Sequence, residues 1–331
     1  MRKAPLFVVP VDFALEMEAT VAAAFAIAKH CGADVHLLEV RPQRRPSRLG
    51  NDADLRLGNE VTRDWSRLEP SLRTAASNGL HVRTIAYRGK PIETIAAYAQ
   101  LKKARLLVVG KHYGSRRWPR NTSVVSTLTR SAPGPVLVLA SERKSATRGS
   151  VSFRHIVSAI DFTVASAVAL RAVLDLIQQS GARLTVVHAS HDAQHMAFSG
   201  AEARRAASSL HERATQAAER LREKIPSDVR VDARVTTSEP HRAILDVASE
   251  VDADLIVMGV PPRSRFDEVL FGSTLRRVLR GTKIPVLALP VPAGAYRWLE
   301  RTDGEEIAAT ARRPRRAKPV RGGSHRSRDG R

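Results

Sequence analysis

The residues best suited to chemistry lie in one stretch, DLIVMGVPPRSRFDEVLFGSTLRRVLRG, residues 254–281. The apolar run Leu255–Met258 closes on Gly259, and Gly272, Ser273 and Thr274 precede a pattern with Leu275, Val278 and Leu279 on one helical face. This is equipment for an anion. Glycine lets a backbone come close, the first N–H groups of a helix have no partner within it, and hydroxyls can donate. The chemistry on offer is the holding of a phosphate rather than the breaking of a bond. No paired base and nucleophile stands beside the loop, and no lysine follows Gly272 as it would in a P-loop. His188, His191 and His195 are metal-binding in type, but no Cys or His partners with ligand spacing accompany them. They read as a strand end and a solvated loop, so neither a metal site nor a catalytic residue is expected.

The elements that must position this stretch occur twice. Asp12 and Asp161, Gly32 and Gly181, Pro91 and Pro240, and the runs LLVVG from Leu106 and LIVMG from Leu255 are all 149 residues apart. The closing runs PVLVLA from Pro135 and PVLALP from Pro285 are 150 apart. A constant offset over separate landmarks marks a duplicated domain. In the first copy, apolar runs at Leu6–Val11, Val35–Val40, Val82–Ala86, Leu106–Val109 and Val136–Leu139 alternate with helical patterns. One such pattern carries Met17, Val21, Ala24, Phe25 and Ala28; another carries Ile92, Ile95, Ala96 and Ala99. In the second copy Ala167, Leu170, Leu174 and Ile177 repeat the helical spacing. Short apolar strands alternating with helices predict an α/β fold, a parallel sheet covered on both faces.

The domain reading follows: residues 1–141 are the first domain, 142–152 a polar linker, 153–292 the second domain, and 293–331 a basic tail. Residues 311–331 hold nine Arg or Lys against one Asp, a composition that predicts disorder. The chain's net charge of +21 falls to +13 when the +8 of residues 311–331 is set aside, so the folded part is basic as well. The single cysteine, Cys31, excludes a disulfide framework and points to a reducing compartment. Asp12, Glu16 and Glu18 interrupt the apolar residues near the N-terminus, and no run approaches a membrane span. A cytoplasmic protein without membrane insertion is expected.

In these landmarks the chain resembles the universal stress protein family in its tandem two-domain form. The resemblance covers nearly all of residues 4–292 and rests on four features: Asp12 and Asp161, the LIVMG strand, the Gly-Ser helix start and the closing PVL strand. It implies two doubly wound domains of the adenine nucleotide α-hydrolase-like type, each a five-stranded parallel sheet of order 3-2-1-4-5 with helices on both faces. It also implies adenine nucleotide binding, ATP first, through a Gly-x2-Gly-x9-Gly-Ser/Thr pattern. In the second copy Gly259, nine intervening residues and Gly272-Ser273 keep that spacing, with Pro262 in place of the second glycine. Proline lacks an N–H and has fixed φ; Arg263 and Arg265 offer charge-assisted contacts to phosphate instead. By the same pattern Asp161 and Ala189 would approach the ribose and adenine, Gly259, Gly272, Ser273 and Thr274 would hold the phosphates, and Met258 would be a further nucleotide-binding position. In the first copy Asp12 and Gly110 remain, but the loop is one residue shorter and Thr122-Ser123 replaces Gly-Ser. That site reads as degraded.

Three functions from different classes compete. The favoured one is a stress-response or regulatory protein that binds an adenine nucleotide in its second domain without fast catalysis, hence not an enzyme. A slow ATPase or nucleotidyl-transfer enzyme is the second, although Asp161-Phe162-Thr163-Val164 does not match the Ser-Gly-Gly-x-Asp-Ser type of loop. The third is a protein that binds no nucleotide and whose tail makes non-specific, salt-sensitive contacts with nucleic acid or another anionic surface. The apolar last strands, Val136–Leu139 and Val286–Leu289, predict that the copies pair through them as an intramolecular pseudo-dimer; a homodimer is a further state the sequence allows.

Overall fold

The structure, a computed structural model, describes residues 4–13, 17–41, 65–114, 124–140, 153–189, 212, 231–236, 238–261 and 273–291. The linker, the basic tail and the loop positions Thr122, Ser123, Pro262, Arg263, Arg265 and Gly272 lie outside them. The first copy contains β1 (Leu6–Val11), α1 (Met17–Cys31), β2 (Asp34–Arg41), a 3-10 turn at Ser66–Leu68, α2 (Glu69–Ser77), β3 (Val82–Arg88), α3 (Pro91–Leu101), β4 (Leu106–Gly110), α4 (Val124–Ser131) and β5 (Val136–Leu139). The second contains β6 (His155–Ile160), α5 (Val164–Ser180), β7 (Arg183–Ala189), β8 (Val231–Thr236), α6 (Pro240–Glu250), β9 (Leu255–Val260), α7 (Ser273–Gly281) and β10 (Val286–Pro290).

The strands form one ten-stranded sheet in the order β3-β2-β1-β4-β5-β10-β9-β6-β7-β8. Each half is the expected 3-2-1-4-5 arrangement, with every pairing inside a half parallel. Alternate residues of a strand face opposite sides. Phe7, Val9 and Val11 of β1 therefore pack with α1, α2 and α5 residues such as Val21, Phe25, Ala75, Leu170 and Ile177. Val8, between them, joins the other layer with Ile95, Leu128, Ile244, Leu275 and Val278 of α3, α4, α6 and α7. Both layers contain residues of both copies, so the core runs unbroken across the middle of the sheet.

The repeat extends to backbone detail. Residues with φ in the left-handed region recur at the same spacing: Phe13 and Phe162 at 56° and 58°, Lys103 and Asp252 at 52° and 49°. Pro91 and Pro240 each open a helix, where the missing N–H costs nothing. Gly181 stops α5 in a left-handed cap, φ 66°, with its N–H on the carbonyl of Ile177 at 2.8 Å.

The halves meet where the apolar last strands predict. β5 and β10 pair antiparallel, with Val286 opposite Val138, Leu287 opposite Leu137 and Ala288 opposite Val136. Without β10, β5 would expose an apolar row of unpaired N–H and C=O groups, a template for a second chain. Residues 1–145 expressed alone are therefore expected to self-associate in analytical ultracentrifugation. A monomer that persists at high concentration would contradict the role given to this joint.

Candidate functional site

In the second copy β6 lies between β7 and β9, parallel to both. The chain leaves β6 into α5 on one face of the sheet and leaves β9 towards α7 on the other. Connections that part to opposite faces open a crevice outside the carboxyl ends of the two strands. α7 returns the chain to β10, which runs parallel to β9 and starts near its amino end, where the Ile256 N–H donates to the Pro285 carbonyl at 2.9 Å. A helix joining two parallel strands must run back against them. The first residues of α7, Ser273 and Thr274, therefore stand at the crevice end of the sheet. Both are half-buried, and Leu275, Val278 and Leu279 fix the helix to the core.

Asp161 follows β6 directly and is exposed. Its Oδ1 accepts from the Thr163 N–H at 3.0 Å and the Thr163 hydroxyl at 2.6 Å. Thr163 Oγ1 in turn accepts from the Ser166 N–H at 3.3 Å and caps α5. The turn occupies one carboxylate oxygen; Oδ2 has no partner among the described residues. Phe162, at φ 58°, sits in a conformation that costs a non-glycine residue of order 1–3 kcal/mol. Its ring is held on His188, centroids 4.6 Å apart. His188 Nδ1 donates to the Ile160 carbonyl at 2.9 Å, which leaves Nε2 as the acceptor of the neutral ring. His188 is thus a half-buried residue near the end of β7, at the strand end where the sequence reading put it; His191 and His195 lie outside the described residues. Among the described residues no group of His, Cys, Asp and Glu could hold a metal ion.

Gly259 differs slightly from its expected place. The strand does not close on it: Gly259 and Val260 are still paired, with Leu289 and Pro290. A Cβ built on Gly259 would collide with the carbonyl group of Ala165 and lie 2.8 Å from the Ser166 nitrogen. β9 can pass the first turn of α5 only because this residue has no side chain, which draws the end of β9 against the segment just after Asp161. The side chain of the preceding residue, Met258, is 6% exposed and belongs to the core, so only its backbone faces the edge. Asp161, Ala189, Met258 and Gly259 are thus gathered at the carboxyl edge of β6, β7 and β9, with Ser273 and Thr274 opening the helix behind it. Arg263 and Gly272 lie outside the described residues.

The first copy fills the same edge with its own groups. Asp12 Oδ2 accepts from the N–H of Gly114 at 2.6 Å, across 102 residues of chain. Arg67 Nη1 donates to the Phe13 carbonyl at 3.0 Å, and its Nη2 donates to Glu18 Oε1 at 2.9 Å. Trp65 packs edge-on against Phe13, centroids 5.3 Å apart. The turn after β1 is closed over by the turn before α2, and its aspartate is taken by the loop after β4.

A model of the universal stress protein family matches the chain over residues 6–140 and again over 152–290. No functionally curated protein matches the sequence. Solved structures share the fold. A universal stress protein from Archaeoglobus fulgidus superposes with a TM-score of 0.58 at 18% identity, covering 87% of this chain and 96% of its own. A protein of unknown function from Pseudomonas aeruginosa superposes with a TM-score of 0.55 at 20% identity, covering 91% and 97%.

The close approach at Gly259 separates two substitutions at equivalent positions. In Gly259→Ala the added methyl meets backbone, which cannot rotate aside; a loss of about 1–3 kcal/mol is expected, as for other overpacked sites. In Gly110→Ala it meets the Thr20 hydroxyl at 2.8 Å, a side-chain atom, and the loss should be smaller. Denaturant midpoints of the two variants check this, and equal midpoints would contradict the packing role of Gly259.

Proposed function

The chain belongs to the universal stress protein family, and from that premise we propose that it is a regulatory protein of the stress response that binds one adenine nucleotide, ATP first, in its second copy and without fast catalysis. The observation that carries this reading is the convergence of Asp161, Ala189 and Gly259 with the start of α7 at the point where the strand order reverses. The open Oδ2 of Asp161 suits a ribose hydroxyl, since an ionised carboxylate only accepts. Ala189, half-buried and without bulk, leaves room for the base. The N–H groups and hydroxyls of Ser273 and Thr274 suit phosphate, with Gly272 allowing a close approach. Arg263 adds a cation, and Pro262 lowers the affinity because it has no N–H where the family pattern has a glycine.

The first copy is assigned no nucleotide. Its aspartate already accepts from Gly114, Trp65 covers Phe13, and its loop is a residue short. Calorimetric titration of the whole chain with ATP is expected to give one site with a dissociation constant near the micromolar range, about −8 kcal/mol. Gly272→Val should abolish that binding and Ser123→Ala should leave it unchanged. Uptake of two nucleotides, or full binding by Gly272→Val, would contradict the assignment.

A further inference from the structure

A side chain of the first copy reaches the last helix of the second. Lys111 follows Gly110 in the first copy's loop, and its Nζ donates to two carbonyls of the second copy, Thr282 at 2.6 Å and Arg280 at 3.2 Å. Those are carbonyls of the last turn of α7 and the residue after it, where a helix carries partial negative charge and lacks internal partners. We propose that Lys111 is a latch that fixes α7 from its C-terminal end, so that the first copy's degenerate site positions Ser273 and Thr274 of the second.

The loop is built to hold such a latch. The Lys111 N–H donates to the Leu139 carbonyl at 2.7 Å, which pins its backbone to the end of β5 beside the joint. The Tyr113 N–H closes a tight turn onto the Gly110 carbonyl at 3.0 Å, and Gly114 is held by Asp12 at 2.6 Å. The aspartate that would face a ligand in an open site instead anchors the loop that carries the lysine. On the receiving side, Thr282 is 6% exposed and its hydroxyl accepts from the Ile284 N–H at 2.9 Å, so the helix end is a firm seat. Another tie on α7, Arg277 to Glu239 at 3.1 Å, lies between side chains 52% and 39% exposed and contributes little. α7 is nine residues long. At about 1.5 Å per residue, a shift at its seated end is carried as a rigid body to Ser273.

Among the described residues the latch works in one direction. The residue equivalent to Lys111 in the second copy is Val260, which has no donor to offer the first copy's helix end at Arg130 and Ala132. The pseudo-symmetry is broken here by a single residue type, and it is broken in the direction that supports the copy whose loop spacing is kept.

The latch itself does not depend on the nucleotide reading; its effect on affinity does. Amide hydrogen exchange is measured on the full chain without ligand for wild type, Lys111→Met and Lys111→Arg. Methionine keeps the apolar stem and removes the donors. Exchange over residues 273–282 is expected to quicken at least tenfold in Lys111→Met and to return to within about threefold of wild type in Lys111→Arg, with β6 and β7 unchanged in both. Unchanged exchange in α7, or an equal rise throughout the second copy, would overturn the latch. In an ATP titration Lys111→Met should bind three- to tenfold more weakly than wild type and Lys111→Arg should recover. Equal affinities would overturn the positioning role. If the wild-type chain takes up no ATP, the nucleotide reading falls and the exchange result alone decides the latch.

Discussion

In each half of this protein the first strand lies between the second and the fourth, and the chain leaves the first and the fourth towards opposite faces of the sheet. No helix can then cover the edge between them, and the residues just beyond β6 and β9 are thrown together whatever their identity. The remaining features of the site serve that reversal. The missing side chain at Gly259 lets β9 pass the first turn of α5, and the left-handed turn at Phe162 redirects the chain while Asp161 caps it. His188 bridges to the Ile160 carbonyl and supports the strained phenylalanine.

The two copies have resolved the same geometry differently. In the first, Asp12, Arg67 and Trp65 close the edge with protein groups, and the short loop after β4 is tied down. In the second, Asp161 keeps an unpartnered carboxylate oxygen among the described residues. Duplication relaxes the demand that both sites serve one purpose. The antiparallel β5–β10 joint then brings the first copy's loop within reach of the second copy's last helix, and Lys111 makes that contact.

Much of this was legible in the residues. Buried parallel strands must be apolar on both faces, so their runs stand out, and the constant spacing of Asp12 with Asp161 and Pro91 with Pro240 revealed the duplication before any coordinate. Apolar last strands in both copies were enough to place the joint. The role of Gly259 was not legible. A glycine at the end of an apolar run reads as a terminator or a ligand contact, and only the packed helix shows that backbone stands where its Cβ would be. The strand-end position of His188 was legible, but its contacts were not, because they are made with a neighbouring strand's carbonyl and a ring across a turn, neither of which periodicity encodes. The repeated Asp-Phe at 12–13 and 161–162 was a signal in plain view for that turn. Lys111 had no sequence signal, because its partners lie 169 and 171 residues away in the other copy.

Assignment of the ligand to the second copy is tested most directly by amide chemical shifts of the labelled full chain during titration with ATP. Shifts are expected at Phe162, Ala189, Ser273 and Thr274, while Phe13 and Gly114 at the equivalent edge of the first copy stay in place. Shifts at Gly114 and Phe13 as large as those at Ser273 and Phe162, or no shift at Ser273 and Thr274 under saturating ATP, would contradict it.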